Sequence, residues 1–331
     1  TAYRRQRQMC IRDRSTVTEV ASFNYQYVDY AKYLEACPGL IVYQSEATSS
    51  ELTAPFFGMD QDKMVGLAYW GAIEYWGESN GWPKKGWNYS FFNHALEPYP
   101  QAYLIKSAFS DEPLVHIGVV DSKKESIEWN DVTVGRMPLS SHWNRPEGSK
   151  QNLFTYTNAD EVELLVNGKS FGIQKNKRDD IQSRNMIYWK DIPYGKGGNI
   201  LAIARNNGKE VARHLLETTG KAKALKIELE NADWKADGMD LQYVKVYAVD
   251  GKGRVVPAAE GEVTFEVSGE ARLIAVDNGD HMTDELFSGN HKKLHQGFVM
   301  AILRSSQTGG DVKVKASLKG LKSAEKKMMT K

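Results

Sequence analysis

Three short apolar runs, each ending in polar or aromatic side chains, recur at a nearly constant interval in the first quarter of the chain. They end at Tyr25, Glu46 and Trp70, which are 21 and 24 residues apart. This interval fits a strand, a helix and short connections in each repeat. Short continuous apolar runs are typical of parallel strands that are buried on both faces. The spacing therefore predicts consecutive βα units with buried parallel strands.

The segments between these runs support the same interpretation. Residues 29–37 predict a short amphipathic helix with Tyr30, Tyr33 and Leu34 on one face. A further helix is predicted over 97–110, opened by prolines at positions where a helix tolerates them. We interpret residues 17–111 as the last three βα units of a (β/α)₈ barrel.

Glu46 is the first candidate functional residue, because it follows a buried apolar run at 39–45 and precedes small hydroxyl residues. Barrels of this kind place their catalytic groups at the carboxyl ends of the strands. The alternative is a structural acid at a helix N-terminus, since residues 47–52 could begin a helix and a carboxylate is favourable there.

The loop after the third predicted strand is rich in tryptophan. Four of the eight tryptophans of the chain fall within 18 residues, and charged and amide side chains are interleaved with them. Indole rings stack on the apolar faces of sugars, while polar groups bind the hydroxyl rim. The alternative is that the rings only cap the barrel and pack on the next domain. The tryptophans are Trp70, Trp76, Trp82 and Trp87, and the polar residues are Glu74, Glu78, Lys84 and Asn88.

From about residue 112 the pattern becomes all-β. Asn-Gly pairs at 167–168 and 207–208 predict two-residue hairpin turns, because both central residues must take positive φ. Residues 218–222 predict a boundary between two β-sandwiches, which span 112–220 and 221–331. Past Ser323 the chain is polar and rich in lysine, and we expect a frayed tail.

Several segments resemble glycoside hydrolase family 2, the family of β-galactosidases and β-glucuronidases. Residues 20–26, 42–49 and 67–78 are similar to its last three barrel strands. Residues 158–172, 236–246 and 274–280 are similar to the β-sandwich domains that follow the barrel in many bacterial members. The resemblance holds in order over about residues 17–330. It implies a multi-domain α/β plus all-β chain, with a partial (β/α)₈ barrel followed by two immunoglobulin-like β-sandwiches.

The resemblance also implies roles for individual residues. Glu46 would be the nucleophile of a retaining glycosidase, Tyr25 would hold it by a hydrogen bond, and Trp70 would line the sugar site. A retaining enzyme needs a second carboxylate as acid and base, about 5 Å away. In this family that residue is a glutamate following an asparagine, and no Asn-Glu pair precedes Glu46. We therefore expect the acid/base to lie outside this chain, and this chain to be inactive alone. The further substrate contacts that we expect are Asn24, Glu74, Trp76 and Trp82.

The expected partner is an oligo- or polysaccharide with a terminal β-linked sugar, and no cofactor is expected. The asparagine–lysine pair that marks glucuronidases is not evident, which favours a β-galactosidase-like substrate. Ile73 and Glu74 stand where many members have an aspartate-centred motif. The alternative function is a non-catalytic carbohydrate-binding or adhesive module built on the two sandwiches. An aromatic platform exposed on a sandwich face would favour this alternative. The sandwich tryptophans are Trp129, Trp143, Trp189 and Trp234.

Residues 4–14 resemble a translated sequencing adapter, and we expect residues 1–16 to be non-native or disordered. The alternative is a basic arm for nucleic acid or membrane. Residues 1–14 contain five arginines and one aspartate, and the other 317 residues carry 38 basic against 41 acidic side chains. The rest of the chain therefore has no basic character, and we expect no nucleic-acid partner. No apolar run is long enough to span a membrane. The resemblance implies a periplasmic or secreted bacterial protein.

Three other patterns carry little weight. His291 and His295 have helical spacing but no third ligand, so we expect a solvated loop and no metal site. Residues 88–90 match a glycosylation acceptor, which matters only in a eukaryotic secretory route. Residues 277–280 lack the full set of acids of a calcium loop and predict a turn.

Overall fold

The protein consists mainly of β-strands, which form one small parallel sheet and two antiparallel sandwiches. A computed structural model describes residues 19–25, 27–59, 62–79, 81–129 and 132–331. The predicted adapter sequence and the expected disorder of residues 1–16 lie outside the described residues.

The first part of the chain contains a parallel sheet, a small hairpin and three helices. Its strands are β1 Val20–Asn24, β2 Ile41–Thr48, β3 Met64–Trp70, β4 Tyr75–Trp76 and β5 Gly86–Trp87. Its helices are α1 Tyr30–Ala36, α2 Ala54–Gly58 and α3 Pro100–Phe109, with 3₁₀ turns at Tyr27–Asp29 and Ser49–Glu51.

The sheet has the order β1-β2-β3 with both pairs parallel, which confirms the predicted parallel strands. Helix α1 covers one face of it. Phe23, 6% exposed, stacks on Tyr33 at 4.9 Å between ring centroids and lies tilted against Tyr30 at 5.5 Å. The aromatic face predicted for this helix therefore forms the small core of the first part.

These strands are buried on one face only, as expected for three strands that cannot close a barrel. Strand β1 alternates between exposed and buried residues, and no residue of β3 is fully buried. Val20, Ile41 and Val65 are 46%, 37% and 63% exposed. The cause is that helix α1 packs on one face only, so apolar residues that point the other way stay exposed.

The second part is a sandwich of two four-stranded sheets with the orders β13-β10-β6-β9 and β12-β11-β14-β15. Its largest buried side chains include Trp143 and Trp189, which are 0% and 2% exposed. Its strands are β6 Val115–Val120, β7 Glu125–Trp129, β8 Val132–Arg136, β9 Leu139–Ser140, β10 Lys150–Thr157, β11 Glu161–Val166, β12 Lys169–Lys175, β13 Met186–Pro193, β14 Asn199–Asn206 and β15 Lys209–Glu217.

The third part is a second sandwich, with the sheet orders β16-β17-β21-β19 and β20-β18-β22-β23. Trp234 and Phe265 are buried in its core at 2% and 1% exposure. Its strands are β16 Ala224–Leu229, β17 Leu241–Val249, β18 Glu262–Gly269, β19 Ala271–Asp277, β20 His291–Lys293, β21 Phe298–Ser305, β22 Gly310–Ser317 and β23 Ala324–Thr330.

The two predicted hairpin turns are confirmed. Asn167 and Gly168 have φ of 51° and 80°, and Asn207 and Gly208 have φ of 49° and 75°. These turns join β11 to β12 and β14 to β15. Positive φ at both central residues matches the right-handed twist of the flanking strands.

The predicted frayed tail is wrong. Residues after Ser323 form β23, which pairs with β22 from Ala316↔Ala324 to Gly310↔Thr330. Met328 packs against the sandwich core, while the lysines of this strand face solvent. A lysine-rich strand at the edge of a sheet keeps its outer face polar and limits pairing with other chains. Within the described residues no helix is both long and apolar enough to cross a membrane.

Candidate functional site

The ends of the three parallel strands meet at one edge of the sheet. Asn24 pairs with Glu46, and Thr48 pairs with Trp70. Glu46 lies inside β2, two residues before the strand ends. This position does not support the alternative interpretation, in which Glu46 is a structural acid at a helix N-terminus. The turn that follows is closed by Thr48 and Glu51, each of which bonds the backbone of the other. A separate acid therefore caps this turn, and the Glu46 side chain is free for another role.

Tyr25 makes two hydrogen bonds to Glu46. Its hydroxyl donates to Glu46 Oε2 at 2.5 Å, and its backbone N–H donates to the Glu46 carbonyl at 2.8 Å. The side-chain bond is the contact that the resemblance implies. The φ of Tyr25 is +57°, a region that few residues other than glycine adopt. Such strained backbone is kept where the surrounding structure requires it, and it occurs often at functional sites.

Burial, and then the hydrogen bond to Glu46, raise the pKa of Tyr25 above its ordinary value. The hydroxyl therefore remains protonated over the physiological range and acts as the donor in this pair.

A chain of small polar groups orients Asn24 next to this pair. Ser45 Oγ donates to Asn24 Oδ1 at 2.5 Å, and Ser22 Oγ donates to Ser45 Oγ at 2.8 Å. The Asn24 side chain is exposed at the strand end. Its side-chain oxygen accepts this bond from Ser45, and its amide nitrogen can donate to a ligand.

The hairpin of β4 and β5 carries two residues that the sequence analysis did not assign. The Tyr75 hydroxyl donates to Glu78 Oε2 at 2.5 Å. The Tyr75 ring lies edge-on to Trp70 at 6.3 Å. The Tyr75–Glu78 pair therefore lies beside the strand ends. The three-residue spacing of these two residues in the tryptophan-rich loop was the available signal.

The tryptophans of this loop divide between packing and exposure. Trp87 is 3% exposed and lies against Trp129 of the second part at 5.4 Å, as the packing alternative expects. Trp76, 37% exposed, lies edge-on to Phe287 of the third part at 5.4 Å. Trp82 is 80% exposed. The exposed rings of Trp76 and Trp82 are available to a ligand, whereas Trp87 is part of an aromatic core.

Glu74 lies away from the solvent, at the junction of the three parts. It is 3% exposed and accepts a hydrogen bond from the Tyr99 hydroxyl at 2.8 Å. His94 lies between Glu74, at 3.7 Å, and Asp277 of the third part, at 3.1 Å. Burial lowers the pKa of His94, but the hydrogen bonds to Asp277 and Glu74 outweigh it and raise this pKa to about 9. These contacts indicate an interdomain connection and do not support the expected sugar contact at Glu74.

The minor motifs have structural explanations. Asn88, in the glycosylation pattern, is 1% exposed and therefore inaccessible. Asp277 Oδ1 accepts from the backbone N–H of Asn278 and Gly279, which is the predicted turn. His291 lies in strand β20 rather than in a loop. Across the described ranges there is no group of three or more side chains suited to a metal ion.

The sandwich tryptophans bear on the alternative of a carbohydrate-binding sandwich. Trp143, Trp189 and Trp234 are buried, and Trp129 packs against Trp87 in the aromatic core. None of these four rings forms an exposed platform, so the sandwich surfaces do not favour that alternative.

Comparison with known proteins gives consistent matches. Residues 225–327 match the model of glycoside hydrolase family 2 C-terminal domain 5, and residues 148–212 match a domain of unknown function, DUF4982. The chain is 30% identical over 268 residues to the beta-galactosidase BoGH2A of Bacteroides ovatus, covering 80% of this chain and 28% of that protein. It is 28% identical over 229 residues to a beta-glucuronidase of Formosa agariphila, covering 68% of this chain and 20% of that protein.

A solved structure of a glycosyl hydrolase family 2 member from Bacteroides cellulosilyticus has a similar fold. It superposes with a TM-score of 0.82 at 29% identity, covering 95% of this chain and 42% of that one. The present chain thus spans less than half the length of each of these proteins.

Proposed function

This chain belongs to glycoside hydrolase family 2, and on that premise we propose that it is the C-terminal portion of a retaining exo-β-glycosidase. The observation that carries the proposal is the Tyr25–Glu46 hydrogen bond of 2.5 Å at the carboxyl edge of parallel strands. A carboxylate held at this edge by a phenol that cannot itself ionise at neutral pH is suited to nucleophilic attack.

The parallel sheet β1-β2-β3 is proposed to be the last three strands of a (β/α)₈ barrel. Strands β1 and β3 are the edges of this sheet within the described part of the chain. Val20 and Val65 are exposed on these strands. A closed barrel pairs every strand and buries its inner side chains, so further strands would cover these positions.

In the proposed reaction Glu46 attacks the anomeric carbon of the terminal sugar. A bond forms between a Glu46 oxygen and this carbon, and the bond from the carbon to the leaving-group oxygen breaks. The leaving-group oxygen takes a proton from the acid/base residue, which we place outside this chain. That residue then removes a proton from water, the water oxygen attacks the anomeric carbon, and Glu46 is released as a carboxylate.

The neighbouring side chains are proposed to position the reactants. Tyr25 orients the Glu46 carboxylate, so that one oxygen is fixed and the other faces the sugar. Asn24 offers an amide donor to a sugar hydroxyl. The indoles of Trp70, Trp76 and Trp82 are proposed to contact the apolar faces of the substrate.

A terminal β-galactoside is the proposed substrate. The name beta-galactosidase belongs to the Bacteroides ovatus relative, which aligns with 80% of this chain, and the glucuronidase relative aligns with 68%. The missing asparagine–lysine pair favours the same sugar.

A graft tests the proposed function. Residues 19–331 are joined behind the upstream barrel strands of the Bacteroides ovatus relative, and hydrolysis of aryl β-galactosides is measured. The ungrafted chain is expected to show no turnover, because the leaving group is not protonated. The graft is expected to be active, and Glu46→Gln in the graft should lower kcat by roughly 10⁴-fold or more, since the nucleophile is lost.

Glu35→Gln is the matched control, because Glu35 is an exposed acid on helix α1. This variant should retain the activity of the graft. Normal turnover in an active graft with Glu46→Gln would contradict the assignment of the nucleophile.

A further inference from the structure

A loop of the third part, residues 278–290, contacts the β4–β5 hairpin at Lys85, next to the start of β5. The backbone N–H of Lys85 donates to the carbonyl of His281 at 3.1 Å. The Lys85 ammonium donates to Asp284 Oδ1 at 2.7 Å and also to the carbonyl of Thr283. The third part thus holds this hairpin through both the backbone and the side chain of Lys85. The sequence alone assigns this part of the chain no role in the site.

The conformation of the loop 278–290 is held by a buried lysine, Lys292. Lys292 is 0% exposed, and its ammonium donates to the carbonyls of Glu285 at 3.1 Å and Leu286 at 3.4 Å. The same ammonium lies 4.6 Å from the centre of the Phe287 ring, which in turn contacts Trp76. A cation with this set of partners defines the conformation of the loop, because an unpaired ammonium would be costly to bury.

The loop orients an exposed indole. Lys85, which the loop holds through Asp284, places its ammonium 5.4 Å from the centre of the Trp82 ring. The cation covers one side of the ring, while the residue as a whole is 80% exposed. Met282 and Leu286, on the same loop, are 46% and 75% exposed. The cation thus lies beside one face of the Trp82 ring, and most of this residue is open to solvent.

The position of the ring along the hairpin distinguishes the two ends of a substrate. Tyr75, at the base of the hairpin, lies edge-on to Trp70 at the end of strand β3. Trp82 lies in the connection between β4 and β5, beside the ammonium of Lys85, which the third part holds. An exo-acting enzyme places the terminal sugar at the nucleophile, so a ring farther out can contact only the group on the other side of the scissile bond.

We propose that the loop 278–290, acting through Asp284 and Lys85, holds Trp82 as a platform for the leaving-group side of a β-glycoside. The ligand is a flat aglycone with an apolar face, either an aryl group or a second sugar ring. This inference rests on the proposed function for the identity of the scissile bond. Trp82 contacts the ligand, whereas Asp284 is a positioning residue that acts through Lys85.

The test compares two ligands on the full 331-residue chain. Dissociation constants of phenyl β-D-galactopyranoside and methyl β-D-galactopyranoside are measured by ligand-observed NMR titration. The phenyl compound is expected to bind about two- to tenfold more tightly, the range typical of one aromatic contact. Trp82→Ala should abolish this preference, so that the phenyl and methyl compounds bind with equal affinity.

Asp284→Asn should reduce the phenyl preference without changing the unfolding midpoint, and Asp284→Glu should restore it. Glu266→Gln is the control, since Glu266 forms an exposed ion pair with Lys315 on the same sandwich, at 3.0 Å. Tyr188→Ala, an aromatic truncation at a residue 44% exposed on the second part, serves as the control for Trp82.

A phenyl preference that survives Trp82→Ala, or that is absent from the unmodified chain, would overturn the inference. An unchanged preference in Asp284→Asn would remove the role of the loop. Failure of the proposed function is recognised separately, because Glu46→Gln should leave the phenyl preference intact while it decides the turnover of the graft.

Discussion

At the residue scale, three histidines show how their neighbours determine their protonation. His94, between two carboxylates, has a pKa raised to about 9. His116 stacks on Tyr103 of helix α3 at 3.6 Å and on His214 at 4.1 Å. Burial, and then the neighbouring His214, lower the pKa of His116 to about 2, and burial lowers that of His214 to about 4. Protonation of His94 therefore stabilises the folded state, whereas protonation of His116 or His214 destabilises it.

The lowered pKa values of His116 and His214 predict that the folded state loses stability in acid. Below about pH 6.5 the unfolded chain binds protons at these positions and the folded protein does not, so the free energy of unfolding falls as pH falls towards 4. The slope is about 1.4 kcal/mol per pH unit for each histidine. His116→Phe keeps a stacked ring and should remove about one histidine's share of this slope. Urea unfolding at pH 7, 6 and 5 measures it.

The exposed His291 provides the control for this experiment. His291→Phe makes the same substitution at an exposed position of β20 and measures what the loss of a histidine that is not buried contributes. An unaltered slope in His116→Phe would show that His116 takes up its proton over the same pH range in the folded protein and in the unfolded chain.

At the element scale, what could be predicted depended on whether the signal was local. The Asn167-Gly168 turn follows from two adjacent residues, and the position of Glu46 among the last three residues of β2 follows from a short apolar run. The docking of loop 278–290 on Lys85 could not be predicted, because it joins residues almost 200 positions apart. The polarity of the last residues led to the wrong prediction of a frayed tail. They form the edge strand β23, which needs apolar side chains on one face only.

Because Gly279 of the third part lies close to the first part, alanine should destabilise the protein more at Gly279 than at Gly253. A Cβ at Gly279, where φ is +74°, would lie 2.2 Å from Asn93 Nδ2. Asn93 cannot move freely, since its Oδ1 accepts from the backbone of Ala95 and Glu97. Gly279→Ala should therefore lower the free energy of unfolding by about 1–3 kcal/mol more than backbone strain alone. Urea unfolding measures the difference.

Gly253→Ala supplies the matched control. Its φ is +81°, and a Cβ there would meet nothing within 4 Å. This variant should show only the cost of the left-handed backbone, about 1 kcal/mol. Equal losses in the two variants would mean that the Gly279–Asn93 approach is not tight in solution.

At the scale of the whole molecule, two complete sandwiches carry a small parallel sheet whose catalytic role we propose. The rhythm of Tyr25, Glu46 and Trp70 was sufficient to predict which strand ends come together. The sequence could not show that Glu74 would be buried against Tyr99, since that depends on how the three parts pack. The proposed site thus combines side chains from local strand ends with a loop supplied from a distant domain.

The central claim is that Glu46 is the nucleophile, and trapping the covalent intermediate tests it most directly. The grafted enzyme is incubated with 2,4-dinitrophenyl 2-deoxy-2-fluoro-β-D-galactopyranoside. Its leaving group departs without protonation, and its fluorine slows hydrolysis of the intermediate, so the labelled carboxylate accumulates. Peptide mapping by mass spectrometry should find the fluorosugar on Glu46 and no label in Glu46→Gln. A label on Glu74, Glu78 or any other carboxylate would contradict the account.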